Sequence, residues 1–390
     1  MRRLPATVVV LGLVSLLNDV ASDMIAPLLP LFLASALGAG PAAIGLIEGV
    51  AEATSSLLKL WSGRLGDRGI GHKRLAVSGY TLSNALRPLI GLAASWPIVL
   101  VLRFGDRVGK GLRTSPRDAL LALSVPETIR GRAFGLHRSM DHAGAMLGPL
   151  VASALLAWGL GMREVFLASV IPGVLAVAVL IAGVREVRQP APQTPAPLRW
   201  SRLPARLRGL VLAAGGLSLA AVPDAFLVLW LSRDGVSVHW IPLLWALAHG
   251  VKSLVALPAG RLSDRLGRLP VLLGGWSLRA GLLALMPWFV GNTPAVVALF
   301  LFYAAAAAST EGAERALIGD AADPSSRGTA FGIYHMLVGL LALPGALWFG
   351  AVWESINMET AFLVSAGLTL LAALFLARQG RRASETPPSA

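Results

Sequence analysis

The sequence predicts an all-α membrane protein of twelve transmembrane helices in two pseudo-symmetric six-helix bundles. Three observations carry that prediction. Of 390 residues, 55% are hydrophobic and 14% charged, against the roughly 25% charged residues of a soluble domain. The apolar residues fall into about twelve blocks, each long enough to cross a bilayer core. Two phrases also recur at one offset: Asp67 and Asp264 are 197 residues apart, and so are Arg130 and Arg327.

The blocks lie near 6–34, 42–64, 74–95, 98–122, 131–157 and 164–184, then 208–231, 240–262, 270–290, 294–318, 328–352 and 359–378. The first is too long for the apolar core of a signal peptide and no small-residue cleavage site follows it, so it reads as a retained span. Pro27 and Pro30 fall in its second half, where a bend is expected. Between spans six and seven lies "REVRQPAPQTPAPLRWSRLPARLR", Pro-rich and basic, with no apolar period. It reads as a linker whose cations can lie on anionic lipid. The expected organisation is therefore a bundle over 1–184, a linker over 185–207, a second bundle over 208–380 and a tail over 381–390.

Charge placement gives an orientation. Arg2, Arg3, Arg64, Arg68, Lys73, Arg74, Arg130, Arg132, Arg185, Arg188, Arg199, Arg202, Arg261, Arg265, Arg268, Arg327, Arg381 and Arg382 fall on one set of loops; the other set holds little beyond Arg163 and Arg233. Cytoplasmic loops carry the Lys/Arg excess, so both termini and the linker are expected in the cytoplasm of an inner-membrane protein. The net charge of +13 is then topology and not a nucleic-acid surface. Cysteine is absent, which excludes disulfides and thiolate metal sites.

The repeated phrases are "SGRLGDRGIGHKR" around Asp67 and "AGRLSDRLGRLP" around Asp264, and "RGRAFG" and "RGTAFG" after Arg130 and Arg327. They imply a duplicated six-helix unit around a central path. These residues resemble the major facilitator superfamily, whose loop signature runs Gly-x-Leu-x-Asp-Arg-x-Gly-Arg. Gly260, Leu262, Asp264, Arg265, Gly267 and Arg268 match it; Gly63, Leu65, Asp67 and Arg68 match its first part, and "GIGHKR" then departs. The resemblance covers essentially the whole chain and implies the alternating-access fold of that family. It also implies gate or structural roles for Asp67, Arg68, Asp118, Arg130, Asp264 and Arg265.

Span five carries Gly135, Gly144, Gly148 and Pro149 at the spacing of the family's proton-driven exporters, with Ala152 and Ser153 in place of the final Gly pair. Small residues every three or four positions let helices approach closely, and Pro bends the span. The span-four signature is less well met: "VLRFGDRVGKGLRTSPRD" adds Asp106, Arg107, Lys110 and Arg113 where neutral residues are usual, so a simple cationic-drug assignment does not follow.

An ionisable side chain inside a span should face a cavity or a partner. Span one sets Ser15, Asn18, Asp19, Ser22 and Asp23 along one side near mid-depth, and span two adds Glu48, Glu52, Ser55 and Lys59. Carboxylates in low dielectric take up a proton more readily, which orders the proton-coupling candidates as Asp23, Glu52, Asp19; fixed ion pairing with neighbouring Arg or Lys is the structural alternative. Arg103, Asp106, Lys110, Arg113 and Arg117 form one stripe on span four, flanked by Arg107. Arg87 on span three and Asp141 and His142 on span five stand as its partners. The second half is drier, and its cavity candidates are Asp224, His249, Lys252, Glu311 and His335. His249 is equivalent to Glu52 at the 197-residue offset, and Glu311 can pair with Arg315 one turn on.

Enzyme signatures fail. "GDRVGKG" lacks P-loop spacing and the Ser/Thr after its Lys, and "GRLGDRG" has no βαβ context. With no ATPase cassette, active transport must draw on an ion gradient. The reading is a carrier without cofactor or metal, expected to be a monomer, with a small molecule, protons and membrane lipids as partners. Proton-coupled export leads. Import of an anionic metabolite is the alternative, favoured by the cations of span four; metal export and a non-transporting sensor rank below both.

Overall fold

Pro27 has no N–H, so the carbonyl of Asp23 cannot receive its helical partner four residues on. In the computed structural model the first helix, α1 (Ala6–Asp23), ends there. The chain turns through Met24–Leu28, restarts as α2 (Leu29–Leu31) and widens into a π-helical turn over Phe32–Ala36. The expected bend in span one is thus a break. It recurs in the second half: α9 (Ala205–Ala220) and α10 (Asp224–Arg233) are separated by Ala221–Pro223, at the place the 197-residue offset carries over from Met24.

The structure describes residues 5–67, 70–126, 130–186, 200, 205–321 and 327–385. The remaining elements are α3 (Pro41–Asp67), α4 (His72–Leu89), α5 (Trp96–Leu123), α6 (Arg130–Ala157), α7 (Met162–Ala168), α8 (Val170–Gly183), α11 (Ile241–Leu266), α12 (Arg268–Leu285), α13 (Thr293–Ala321), α14 (Arg327–Ser355) and α15 (Met358–Glu385). Each of the twelve expected spans is met by helix, with spans one, six and seven in two pieces, and no strand occurs among the described residues. Helices overrun the apolar blocks where backbone hydrogen bonding continues past the oil, as α3 does to Asp67 and α15 to Glu385.

Nine of the described helices or helix pairs are long and apolar enough to cross a membrane. The spans outside that set are α3, α4 and α5, which are long enough but carry charged and polar side chains among their apolar ones. A helix of that composition cannot face lipid around its circumference, so it must turn its polar stripe inward.

The chain forms two compact units. One comprises Met1–Ala39, Val50–Pro195 and Ser237–Leu247; the other comprises Gly40–Gly49, Ala196–Val236 and Ala248–Ala390. In the first, α4 packs chiefly on α5, and α1 on α6 and α8. Val8, Leu11, Val14, Tyr80, Leu120 and Leu180 form its apolar core. In the second, α12 lies against α13 and α15, and α9 against α14 and α15, around Leu210, Val211, Leu272, Trp276, Ile318 and Leu376. A second aromatic cluster joins Phe226 and Trp230 of α10 to Phe349, Trp353 and Phe362. Trp158, Trp240 and Trp288, near span ends, are exposed, as suits side chains at a membrane–water boundary.

Candidate functional site

In the first unit the charges of span four are organised by close backbone approach. Gly79 and Gly109 let α4 and α5 touch: a Cβ at Gly109 would lie 2.5 Å from Ser83 Oγ and 2.6 Å from the Gly79 carbonyl. Ser83 then donates to the Asp106 carbonyl at 2.8 Å. At this seam Arg87 of α4 donates through Nε to Asp106 Oδ1 at 2.8 Å, with both side chains about fully buried. Its Nη1 donates to Asn18 Oδ1 at 3.1 Å and to Asn84 Oδ1 at 3.2 Å, tying in α1. Arg103 and Arg107 approach the other carboxylate oxygen of Asp106 at 3.6 and 3.8 Å. Asn18, Arg87, Arg103, Asp106 and Arg107 therefore form one buried network, in which charges are tolerated because each finds partners.

Further along α5, Arg113 stacks over the Tyr80 ring at 4.5 Å. Arg117 donates to Asp118 at 2.9 Å and to Ser15 Oγ at 3.2 Å, so Asp118 is ion-paired near the end of the helix. On α6, Asp141 lies 3.5 Å from both His137 and Arg138. The expected partner His142 is exposed; it is His137, one turn before Asp141, that turns inward. Helical spacing puts His137 on the face of Asp141, and the packing of α6 turns that face inward.

Asp19 and Asp23 differ from these paired carboxylates. Asp19 accepts a hydrogen bond from Asn18 Nδ2 at 2.9 Å. Asp23 makes no side-chain hydrogen bond or ion pair among the described residues; the charges acting on it are Asp19, Lys110, Arg87 and Arg107. The glycines of α6 seat both turns of α1. A Cβ at Gly144 would sit 2.5 Å from the Leu16 carbonyl and 2.9 Å from Asp19 Cβ. One at Gly148 would sit 2.7 Å from the Val20 carbonyl and 3.0 Å from the Asp23 carbonyl carbon. Pro149 is buried beside them.

Glu52 is exposed along α3 and receives a hydrogen bond from Ser56 at 3.3 Å. The cations acting on it are Lys110, Lys59 and Arg107. Helices α3 and α5 are joined at this level by Ser115 Oγ donating to the Lys59 carbonyl at 2.7 Å and Ser62 Oγ donating to the Gly111 carbonyl at 2.8 Å.

In the second unit Asp224 is exposed at the first turn of α10, and His249 and Lys252 are half-buried on α11. Glu311 and His335 are exposed, and Glu311 forms no ion pair with Arg315. The polar contacts there join charged residues of spans nine and ten, which stand out in the sequence, to tyrosines that do not. Tyr334 donates to Glu314 at 2.9 Å, and Arg279 donates to the Tyr303 hydroxyl at 3.1 Å. A tyrosine in an apolar run gives no periodic signal, so only the packing of α12, α13 and α14 exposes these pairs. At the second loop signature, Asp264 is paired with Arg268, which also reaches Asp320 at 3.4 Å, while Arg265 is exposed. Arg68 and the side chains of Asp67 and Arg130 lie outside the described residues. Among the described residues no group of three His, Asp or Glu side chains is arranged to hold a metal ion.

The model of the Major Facilitator Superfamily matches residues 11–248 and 210–390. An uncharacterized MFS-type transporter of Methanocaldococcus jannaschii, MJ1317, is 31% identical over 383 residues, covering 96% of this chain and 95% of that protein. The multidrug resistance protein MdtG of Escherichia coli is 25% identical over 378 residues, covering 92% and 90%. Among solved structures, a bacterial homolog of the human lysosomal transporter Spinster superposes with a TM-score of 0.79 at 18% identity, covering 98% of each chain. That last likeness is one of fold.

Proposed function

The chain belongs to the Major Facilitator Superfamily, hence is a multi-pass membrane transporter and not an enzyme, and from that premise we propose that it exports a small organic molecule in exchange for protons. One observation carries the reading: Gly144 and Gly148 of α6 lie against the two turns of α1 that bear Asp19 and Asp23. Glycine on one side of this seam lets the two helix backbones approach closely, with no side chain of its own to lock them in place. The carboxylates on that seam are in no ion pair among the described residues, so gaining a proton breaks no salt bridge there. Asp106, Asp118 and Asp141, each beside an arginine, are fixed counter-charges in this account. Proton uptake at Asp23 then biases one state of the carrier, provided the proton's affinity differs between states. Likeness to a multidrug resistance protein supports outward transport, and the Lys/Arg loop asymmetry supports a cytoplasmic position for both termini.

The test is reconstitution in liposomes containing an internal pH dye, with a panel of anionic, cationic and neutral compounds. Export by exchange moves protons opposite to substrate. Asp23→Asn should abolish substrate-linked proton movement while leaving the protein folded. Protons that travel with the substrate would establish the import alternative, and an Asp23→Asn carrier that still couples would remove Asp23 from the mechanism.

A further inference from the structure

Arg87 and Arg117 on the interior of the first unit have close carboxylate partners at 2.8 and 2.9 Å, and Arg113 has the face of Tyr80. Three other cations are held less closely. Arg107 reaches only 3.8 Å from an Asp106 oxygen that it shares with Arg103, and its buried Nε makes no hydrogen bond among the described residues. The ammonium groups of Lys59 and Lys110, both on half-buried residues, make no hydrogen bond or ion pair among the described residues.

These three are neighbours. The Ser115–Lys59 and Ser62–Gly111 hydrogen bonds fix α3 against α5 at this level, and Ser55 and Leu58 meet Gly111 directly. Lys110 is in the field of Arg107, Lys59 and Arg113, with Glu52 as its carboxylate neighbour on α3. Lys59 has the same neighbours together with Arg117. From α1, Asp23 acts on Lys110 and Arg107. The three cations thus share Glu52 and the more remote Asp23, and Arg107 also reaches Asp106 at 3.8 Å. Like charges crowded at one level repel one another, so an anion placed among these three cations would lower the energy of the cluster. Arg107 offers a planar fork and the two lysines offer point charges, the combination that recognises an oxyanion.

We infer that Lys59, Arg107 and Lys110 form the subsite for the acidic group of the transported molecule, a carboxylate or phosphate ester, and that Glu52 competes with it for the same cations. The assignment rests on the transport reading above but not on its direction. It gives opposite signs for two substitutions. Lys110→Gln removes a ligand to the anion, whereas Glu52→Gln removes its competitor.

The experiment is equilibrium binding to purified protein in phosphatidylcholine nanodiscs, with benzoate, phenyl phosphate, benzamide and benzylamine as probes. Benzoate or phenyl phosphate should bind saturably and the amide and amine should not. Lys110→Gln should weaken the anion on the order of tenfold to a hundredfold, the value of a charged hydrogen bond. Glu52→Gln should tighten it, an effect that misfolding cannot produce. Equal binding of benzamide or benzylamine, absence of binding by either anion, or anion affinity unchanged in both variants would overturn the inference. Repeating the titration with phosphatidylglycerol in the disc separates sources of the anion: competition identifies a lipid headgroup, no competition a free solute, and either outcome keeps the oxyanion chemistry. Anion binding without flux in liposomes retains the subsite and removes the transport reading instead.

Discussion

Replacing Asp106 by asparagine tests the buried network on which α1, α4 and α5 converge. The carboxylate meets Arg87 at 2.8 Å, Arg103 at 3.6 Å and Arg107 at 3.8 Å, and it is about fully buried. Removing one partner of a buried ion pair costs about 3–5 kcal/mol, because the remaining charge stays out of water. Asparagine still accepts one hydrogen bond from Arg87 Nε, which returns about 1 kcal/mol. At roughly 2–4 °C per kcal/mol for a unit of this size, the melting temperature should fall on the order of 10 °C. Thermal unfolding in detergent, followed by the fluorescence of the eleven tryptophans, reads this directly. The double variant Arg87→Met with Asp106→Leu removes both members of the shortest pair and should recover part of the loss. Its coupling energy should exceed about 1 kcal/mol, since residues in one network do not add. Strict additivity of the two single changes would show that the pair is not an energetic unit and would refute the reasoning.

Three further outcomes follow from the geometry. Gly148→Val places side-chain atoms where only 2.7 Å separates a bare Cβ from the Val20 carbonyl; the overpacking costs about 1–3 kcal/mol, and transport in liposomes should fall while the protein remains monodisperse. Tyr334→Phe leaves Glu314 without its 2.9 Å donor and should lower stability by about 1.5–3 kcal/mol, the value of a hydrogen bond to a charged group; an unchanged melting temperature would discount that contact. Glu354→Ala removes the acceptor that caps Ala42 N–H at 2.7 Å, a loss of about 1 kcal/mol that faster amide exchange at the first turn of α3 should report.

The spans were legible because a bilayer imposes length on every helix and apolarity on whatever face meets lipid, and the 197-residue repeat because duplication leaves glycines and charges in register. The stripe on α5 was legible for the same reason as any helix face: Arg103, Asp106, Lys110, Arg113 and Arg117 step by three and four. Which charge answers which was not legible. Pairing depends on rotation of one helix about its axis relative to another, and small residues set that rotation through contacts no spacing rule contains. Gly79 on Gly109 brings Arg87 to Asp106; without that seam the sequence offers Asp106 several equally placed arginines. His142 and His137 make the same point. Both flank Asp141 on α6, and only the packing of the helix decides that His137 is inside. The tyrosines of the second unit were illegible because they sit among apolar residues and bear no charge at neutral pH.

The two halves have the same helices but use charge differently, and the break in span one shows why this matters. Asp23 ends α1 at the Pro27 break, and the duplicated break in the second half falls between Ala220 and Asp224. At the first break a carboxylate is the last helical residue and the cations of α5 act on it. At the second, Asp224 begins the new helix and is exposed. An acidic side chain at a helix start is favoured by the backbone dipole, and at a helix end it is opposed by it. Asp23 is therefore in the less favourable of the two positions for a charge, on a seam made of glycine, and within reach of the field of Lys110. A single proton there relieves the clash with the helix terminus and releases Lys110 and Arg107 from an acidic neighbour. In that sequence of effects proton uptake and anion recognition act on the same two cations, so the pair Asp23→Asn and Lys110→Gln should be non-additive in anion affinity. Independent effects would separate the proton site from the anion site.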